Sequence, residues 1–310
     1  EIGFFMKKTL CLFLFSILFS GEVYIGLQML DQVGIVDSET FELINVINTD
    51  FNEMSMNCMD YSSEMDCNMV NGCEWILGIC MESGGMQMAN NTPHFVAIDE
   101  INGYWFVTTI ASGYIARFEL ITNNFIDKIF VGDSPALLTL NKSNKKLYCS
   151  RMMPMGNIMP GSESTIIHEI DYSDDIMTSL NEFEISSPAP HGISINSDGS
   201  EVYVASNTAD WIYKIIPSSG EIVGVAMDSE INNSPDLETQ RLKPIQCLSV
   251  SDSLLLVTCS GGQWFDPWTG NQEEIPGEIQ LWDSNTMTKL HSYEFNWYSS
   301  PWHIINHYSE

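Results

Sequence analysis

Basic residues are scarce in this 310-residue chain: 12 lysines and arginines stand against 41 aspartates and glutamates, a formal net charge of −29. A protein with so few cations displaces few counterions from phosphates, which excludes nucleic-acid binding of any ordinary kind. The same deficit argues against docking on anionic lipid. The acidic surface instead favours solubility and cationic partners.

Long apolar runs are also missing, with one short exception near the start. Met6, Lys7 and Lys8 precede an apolar run of about eleven residues, 9–19, which is too short to span a bilayer. This pattern is typical of a secretory signal peptide, although a buried strand is an alternative. We assign residues 1–21 to upstream residues and signal, and expect a secreted or periplasmic (cell-envelope) protein without a transmembrane segment after signal removal.

Zinc-type cysteine pairs are absent. Four of the eight cysteines have the spacing C-x8-C-x5-C-x6-C, with no C-x2-C pair, which makes a tetrahedral zinc site a poor interpretation. In an oxidising compartment they predict two disulfides, with three connectivities open. The segment 57–81, with its Gly-Cys-x-Trp core, loosely resembles a plexin-type cysteine-rich repeat; a disulfide-stapled loop inserted in a larger domain is the alternative. The four cysteines are Cys58, Cys67, Cys73 and Cys80.

The chain has a repeat with a period of 42 to 57 residues. Each unit opens with a proline and an alternating apolar stretch, followed by a polar turn and further β-rich runs, which predicts antiparallel strands. Four strands per repeat of this size predict an all-β fold, a β-propeller of four-stranded antiparallel blades spanning residues 22–310. The opening prolines are Pro93, Pro135, Pro190, Pro244 and Pro301.

One repeat carries a family resemblance. Residues 190–206, PHGISINSDGSEVYVAS, are similar to the repeat of the YVTN-type β-propeller family, P-x-G-I-x-φ-x-x-D-G-x-x-φ-Y-V-[TA]-[NS]. The other repeats keep the strand pattern but lose the Asp-Gly turn. The resemblance implies the fold, but hardly the function, because propellers host many activities.

The two ends of the repeat are incomplete. Residues 22–48 look like the last three strands of a blade without its first, and residues 301–305 look like a first strand alone. Either these ends meet and close a five-bladed ring, or the chain is a truncated part of a larger propeller; we expect truncation.

Propeller geometry determines the face on which each loop emerges. The connection into the first strand of a blade and the connection between its second and third strands emerge on the same face, which we call the top face. Three insertions fall there: the cysteine segment, residues 151–161 and residues 261–270. Because loops on a rigid scaffold are where function concentrates, we expect a site on this face. Its candidate binding residues are His94, Arg151, His191, Asn207, Asp210, Trp264, Trp268 and His303.

Three of these candidates are histidines that follow a blade-opening proline by one or two residues. Because successive first strands surround a common axis, His94, His191 and His303 are expected at one mouth of the channel, where they are candidate ligands of a transition metal. A hydrogen bond to the neighbouring blade is the alternative role. His303 is shifted by one residue and is expected to face differently from the other two.

The chain lacks a nucleophile elbow, a phosphate-binding glycine loop, a haem-attachment motif and an H-E-x-x-H motif. The leading hypothesis is an exported binding module whose top face takes a protein, a glycan or a small-molecule ligand. The alternative is a periplasmic metal-binding or oxidoreductase-type propeller with a site at the channel mouth, because the resemblance also includes amine-dehydrogenase-like and copper-reductase-like subunits. The 17 methionines would suit copper, but composition bias accounts for them better.

Overall fold

The computed structural model describes residues 21–49, 63, 73–76, 79–82, 91–132, 134–151, 165–231, 233–266, 268–296 and 299–305. The signal segment, Cys58 and Cys67 lie outside the described residues. Within them the only helical element is the three-residue 3-10 turn Gln28–Leu30. No helix in this part of the chain is long and apolar enough to cross a membrane.

The described chain is organised as successive antiparallel sheets. In chain order its strands are β1 (Glu22–Leu27), β2 (Gln32–Asp37), β3 (Leu43–Asn48), β4 (Cys73–Ile76), β5 (Ile79–Glu82), β6 (Pro93–Asp99), β7 (Tyr104–Thr109), β8 (Tyr114–Glu119), β9 (Phe125–Phe130), β10 (Pro135–Asn141), β11 (Lys146–Arg151), β12 (Ile166–Asp171), β13 (Thr178–Glu184), β14 (Pro190–Ile195), β15 (Val202–Ser206), β16 (Trp211–Ile216), β17 (Glu221–Ala226), β18 (Pro244–Ser251), β19 (Leu254–Cys259), β20 (Gly262–Phe265), β21 (Gln272–Ile275), β22 (Glu278–Asp283) and β23 (Thr288–Glu294).

Four sheets are complete four-stranded blades, and each begins at a predicted proline. They are β6–β9, β10–β13, β14–β17 and β18-β19-β22-β23, which we number blades 1 to 4. The strands β1–β3 form a three-stranded sheet before blade 1, and β4–β5 and β20–β21 are separate two-stranded hairpins. The predicted all-β fold of four-stranded antiparallel blades is confirmed.

The turn that carries the family resemblance needs its glycine. In residues 196–199, Gly199 has φ +76° and donates its N–H to the carbonyl of Asn196 at 3.2 Å. A Cβ at Gly199 would lie 2.0 Å from Nδ2 of Asn141 in the preceding blade. Both the left-handed backbone and the close approach therefore favour glycine.

The core is a series of layers between consecutive sheets. Each of the four buried apolar clusters draws its residues from two neighbouring sheets, for example Phe106 of blade 1 with Leu147 and Tyr172 of blade 2. Both faces of a middle blade are therefore apolar, and its strands read as nearly continuous hydrophobic runs. Burial of these layers drives one blade to pack on the next.

A repeated hydroxyl links three of the four blades to the segment at the first-strand position of the next; the equivalent residue of blade 3 is Ala205. Thr108 Oγ1 donates to the carbonyl of Ala136 at 2.8 Å, and Ser150 Oγ donates to the carbonyl of His191 at 2.7 Å. In blade 4, Thr258 Oγ1 donates in the same way to the carbonyl of Trp302 at 3.0 Å. Residues 301–305 have no assigned strand, but they lie where the first strand of a following blade would lie.

The other three described cysteines, Cys149, Cys247 and Cys259, are buried and free. Burial raises the pKa of the Cys149 and Cys247 thiols to about 12 and that of Cys259 well above its ordinary value, so their reactive thiolate forms are suppressed. We expect alkylation of denatured, unreduced protein to modify these three thiols. The predicted disulfide cysteines should become modified only after reduction. Mass spectrometry reads out both sets, and alkylation of all four insert cysteines without reduction would contradict the disulfide prediction.

Candidate functional site

The connections for which insertions were predicted start and end on the top face. The chain enters the first strand of each complete blade and passes from its second to its third strand on this side. In blade 4 that second-to-third connection contains the hairpin β20–β21. Residues 152–164 and most of the cysteine segment lie outside the described residues.

Two of the three predicted histidines lie side by side. The ring centroids of His94 and His191 are 6.3 Å apart. His191 is 5% exposed and its Nδ1 contacts the carbonyl of Ile245 at 2.7 Å, whereas His94 Nδ1 contacts Gln28 Nε2 at 2.7 Å. His303 is exposed, with Nδ1 at 3.1 Å from Oε1 of Gln246. Each ring therefore has a partner on an adjacent sheet or strand.

The histidines are close enough to influence each other electrostatically. Burial, then the neighbouring rings of His191 and His303, lowers the pKa of His94 to about 4. Burial also lowers the pKa of His191. Both imidazoles are therefore neutral at physiological pH, the form that binds metals. Within the described ranges, however, no three His, Cys, Asp or Glu side chains are grouped so that they could hold a metal ion.

Arg151 does not project from the top face. It is 2% exposed, and its guanidinium donates to the carbonyls of Val131 and Ile166 and to Nε2 of His168. Its contacts therefore join the end of blade 1 to the third strand of blade 2. The structure gives this residue a role in packing between blades.

Burial of His168 beside Arg151 makes stability depend on pH. Burial, then the Arg151 guanidinium, lowers the pKa of His168 to about 4 from its ordinary 6.5. The unfolded chain thus binds this proton at a higher pH than the folded one, so the contribution of neutral His168 is present above pH 6.5 and is lost as the pH falls towards 4. At about 1.4 kcal/mol per unit this amounts to about 3 kcal/mol. We expect the stability difference between wild type and His168→Gln, measured by urea unfolding, to shrink across this window; a constant difference would contradict the assignment.

Asn207 and Asp210 also lie inside, at the turn between the second and third strands of blade 3. Asn207 is 2% exposed and its Nδ2 donates to the carbonyl of Pro244 at 3.2 Å. The Asp210 carboxylate accepts hydrogen bonds from Thr239 and from three backbone N–H groups of residues 241–243. The Asp31 carboxylate, just before β2, likewise accepts hydrogen bonds from the backbone N–H groups of Asn91 and Thr92. These side chains hold the loop that enters the next blade.

The hairpin β20–β21 divides its aromatic residues between interior and solvent. Trp264 is 4% exposed, donates Nε1–H to the carbonyl of Thr239 at 2.7 Å and lies under the guanidinium of Arg241. Phe265 and Trp268 are 65% and 59% exposed. Trp264 thus anchors the hairpin on the propeller, and the other two rings face solvent. Trp268 was a predicted binding residue and Phe265 was not, although strand alternation next to buried Trp264 indicates that Phe265 faces solvent.

Two clefts flank the base of the hairpin. A cleft of about 270 Å³ lies between the hairpin and residues 299–300, with Gly262, Gln263 and Pro276 in its wall. A second, of about 190 Å³, lies between blades 3 and 4 and is lined mainly by charged and polar side chains. They share Ile275 and Pro276. No local motif marks the second cleft, because its residues come from separate segments.

The fold has many counterparts among solved structures. The chain aligns with a structure described as Kuenenia stuttgartiensis hydrazine synthase at a TM-score of 0.51 and 14% identity, over 69% of this chain and 52% of that one. It aligns with a structure described as a mitotic checkpoint complex at 0.53 and 12%, over 88% of this chain and 60% of that one. Both are β-propeller-type proteins. This chain is a β-propeller.

The comparisons with solved structures support the fold and no specific activity. The propeller spans about half to three fifths of the length of these two structures. No protein-family model and no curated protein sequence matches the chain. The chain matches 1255 solved chains, and the propeller fold by itself is consistent with a binding or interaction module but selects no activity.

Proposed function

We propose that this protein is exported and is a binding module whose top face takes up another protein. The observation that carries the proposal is the pair Phe265 and Trp268, two aromatic side chains held in solvent by a hairpin whose base is anchored through buried Trp264. Exposed aromatic side chains on a rigid support are the residues that most often dominate binding energy at protein interfaces. They also lose little conformational entropy on binding.

Two further observations support a protein partner. The structure described as a mitotic checkpoint complex shows that a propeller of similar fold occurs in a protein assembly. The net charge of −29 favours a partner with a basic rim around an apolar centre, because opposite potentials accelerate encounter. The export part of the proposal rests on the signal-like residues 6–21.

The metal-binding or oxidoreductase alternative rests on the neighbouring rings of His94 and His191. Its weakness is the missing third ligand within the described ranges. Metal analysis of the purified protein separates the two: a stoichiometric transition metal supports the alternative, and a metal-free folded protein that binds a partner supports the first proposal.

Capture from the cell envelope of the source organism tests the proposal. The bait is the full chain, compared with a Phe265→Ser/Trp268→Ser double variant and with Phe41→Ser. Phe41 is a matched control because it is 82% exposed and lies in the turn between β2 and β3, on the opposite side of the propeller. We expect quantitative mass spectrometry to find a protein retained by wild type and the control and depleted at least about tenfold with the double variant. Equal retention by all three baits would overturn the top-face assignment.

A further inference from the structure

The charged cleft of about 190 Å³ opens beside the base of the hairpin on the top face. It lies between the end of blade 3 and the third and fourth strands of blade 4. At about 30 Å³ per water it holds about six waters, the size of a small metabolite rather than a peptide. Its ionisable side chains are Asp228, Arg241, Glu278, Lys289 and Glu294.

One side of the cleft is built around a buried carboxyl. Glu278 is 7% exposed, and Gln280 Nε2 donates to its Oε1. The amide of Gln280 is oriented in turn, because Trp282 Nε1 donates to its Oε1 at 2.9 Å. Glu278 is therefore held in place as an acceptor, and its second oxygen makes no hydrogen bond within the described part of the chain.

Two cations also line the cleft, Arg241 from the loop that enters blade 4 and Lys289 from strand β23. Arg241 Nη1 is paired with Asp228 at 2.9 Å, but its buried Nε has no hydrogen-bond partner among the described residues. Lys289 Nζ has only a long hydrogen bond, 3.3 Å, to the carbonyl of Met227. A buried donor without a partner costs about 1–3 kcal/mol, which a bound acceptor would recover.

The charges of the cleft influence one another. Burial raises the pKa of Glu278, the nearby Glu294 raises it further, and Lys289 and Arg241 oppose the shift. A bound cation near this carboxyl would favour its ionised form. With Arg241 and Asp228 paired, the groups left for a ligand are the carboxyls of Glu278 and Glu294, the Nε of Arg241 and the ammonium of Lys289.

We propose that this cleft binds a small zwitterion of amino-acid size, with its ammonium group towards Glu278 and Glu294 and its carboxylate towards Arg241 Nε and Lys289. The proposal deepens the proposed function and rests on it for the choice of the top face as the binding face. A zwitterion fits better than an anion or a cation alone, because the cleft offers both carboxyls and cationic donors and a zwitterion adds no net charge beside the buried Glu278 carboxyl. The small volume of the cleft suits a single amino acid better than a peptide chain.

Isothermal titration of the full chain with three matched probes tests this proposal. L-Alanine carries both charges, propionate lacks the ammonium group and ethylamine lacks the carboxylate. We expect L-alanine to bind with a Kd of about 1 mM or tighter, and each single-charge analogue to bind at least about tenfold more weakly. Glu278→Gln should weaken L-alanine binding at least about tenfold, whereas Glu221→Gln, an exposed carboxyl at the far end of blade 3, should leave it unchanged.

A second variant protects the test against misfolding. If the Glu278→Gln variant does not fold, Lys289→Gln on exposed strand β23 replaces it. This variant is expected to weaken L-alanine binding at least about fivefold and to leave ethylamine binding unchanged. Absence of L-alanine binding, or equal binding of the three probes, overturns the proposal. If L-alanine does not bind but partner capture still depends on Trp268, the zwitterion proposal is wrong and the proposed protein-binding function stands. If L-alanine binds but no partner is captured, only the protein-binding function is wrong.

Discussion

Replacing Arg117 by alanine is expected to lower the free energy of unfolding by about 3–5 kcal/mol. The side chain is 1% exposed, and its Nε pairs with Asp127 at 2.8 Å. Its other nitrogens donate to three backbone carbonyls of blade 2, those of Tyr172, Asp174 and Asp175, at 2.7–3.0 Å. Alanine would leave a carboxylate and three carbonyls without their donor, and would loosen the contact between blades 1 and 2.

Urea unfolding of the purified protein measures this effect. The matched control is Lys142→Ala, which removes an ion pair of 2.5 Å with Glu100 that also links two blades but lies at the surface. Surface pairs contribute about 0–1 kcal/mol, so the control should stay in that range. Equal, small losses for both variants would mean that Arg117 is not a structural link between the blades.

Replacing Asp210 by alanine is expected to cost about 3 kcal/mol, because it removes the acceptor of four hydrogen bonds. These come from Thr239 Oγ1 at 2.8 Å and from the backbone N–H groups of Arg241, Leu242 and Lys243 at 2.9, 3.1 and 2.8 Å. The loop that they hold carries Arg241 into the charged cleft. We therefore expect faster amide exchange in residues 239–243 as well as lower stability.

Hydrogen exchange followed by mass spectrometry reads out this loop directly. The control is Asp236→Ala in the same connection, whose exposed carboxylate accepts a hydrogen bond from Ser234 at 2.5 Å and should change stability by less than about 0.5 kcal/mol. Unchanged exchange in residues 239–243 of the Asp210 variant would contradict the role given to this carboxylate.

The blades were predictable because their signals are local. Alternation sets which strand face is buried, and the prolines at 93, 135, 190 and 244 each coincide with the first residue of a first strand. The shared offset of His94 and His191 from their prolines predicted equivalent positions at one mouth of the channel, and the two ring centroids lie 6.3 Å apart. Both conclusions depend on repeat position alone.

Burial of the polar candidates was not predictable in the same way. Sequence position placed Arg151 and Asp210 on top-face connections, but whether such a side chain turns inward depends on partners in another blade. For Asp210 those partners are backbone N–H groups about 30 residues away, which leave no mark on the side-chain pattern. The charged cleft was even less predictable from the sequence, because Arg241, Glu278 and Lys289 come from three segments with no common spacing.

The affinity of the captured partner for a small set of variants tests the central claim, that the top-face hairpin is the binding surface. Surface plasmon resonance would compare wild type, Trp268→Ala, Phe265→Ala and Phe41→Ala, all with exposed rings. We predict a loss of at least about 2 kcal/mol, some thirtyfold in Kd, for Trp268→Ala, a smaller loss for Phe265→Ala, and no change for Phe41→Ala. Unchanged affinity of the Trp268 variant, or an equal loss for the Phe41 control, would contradict it.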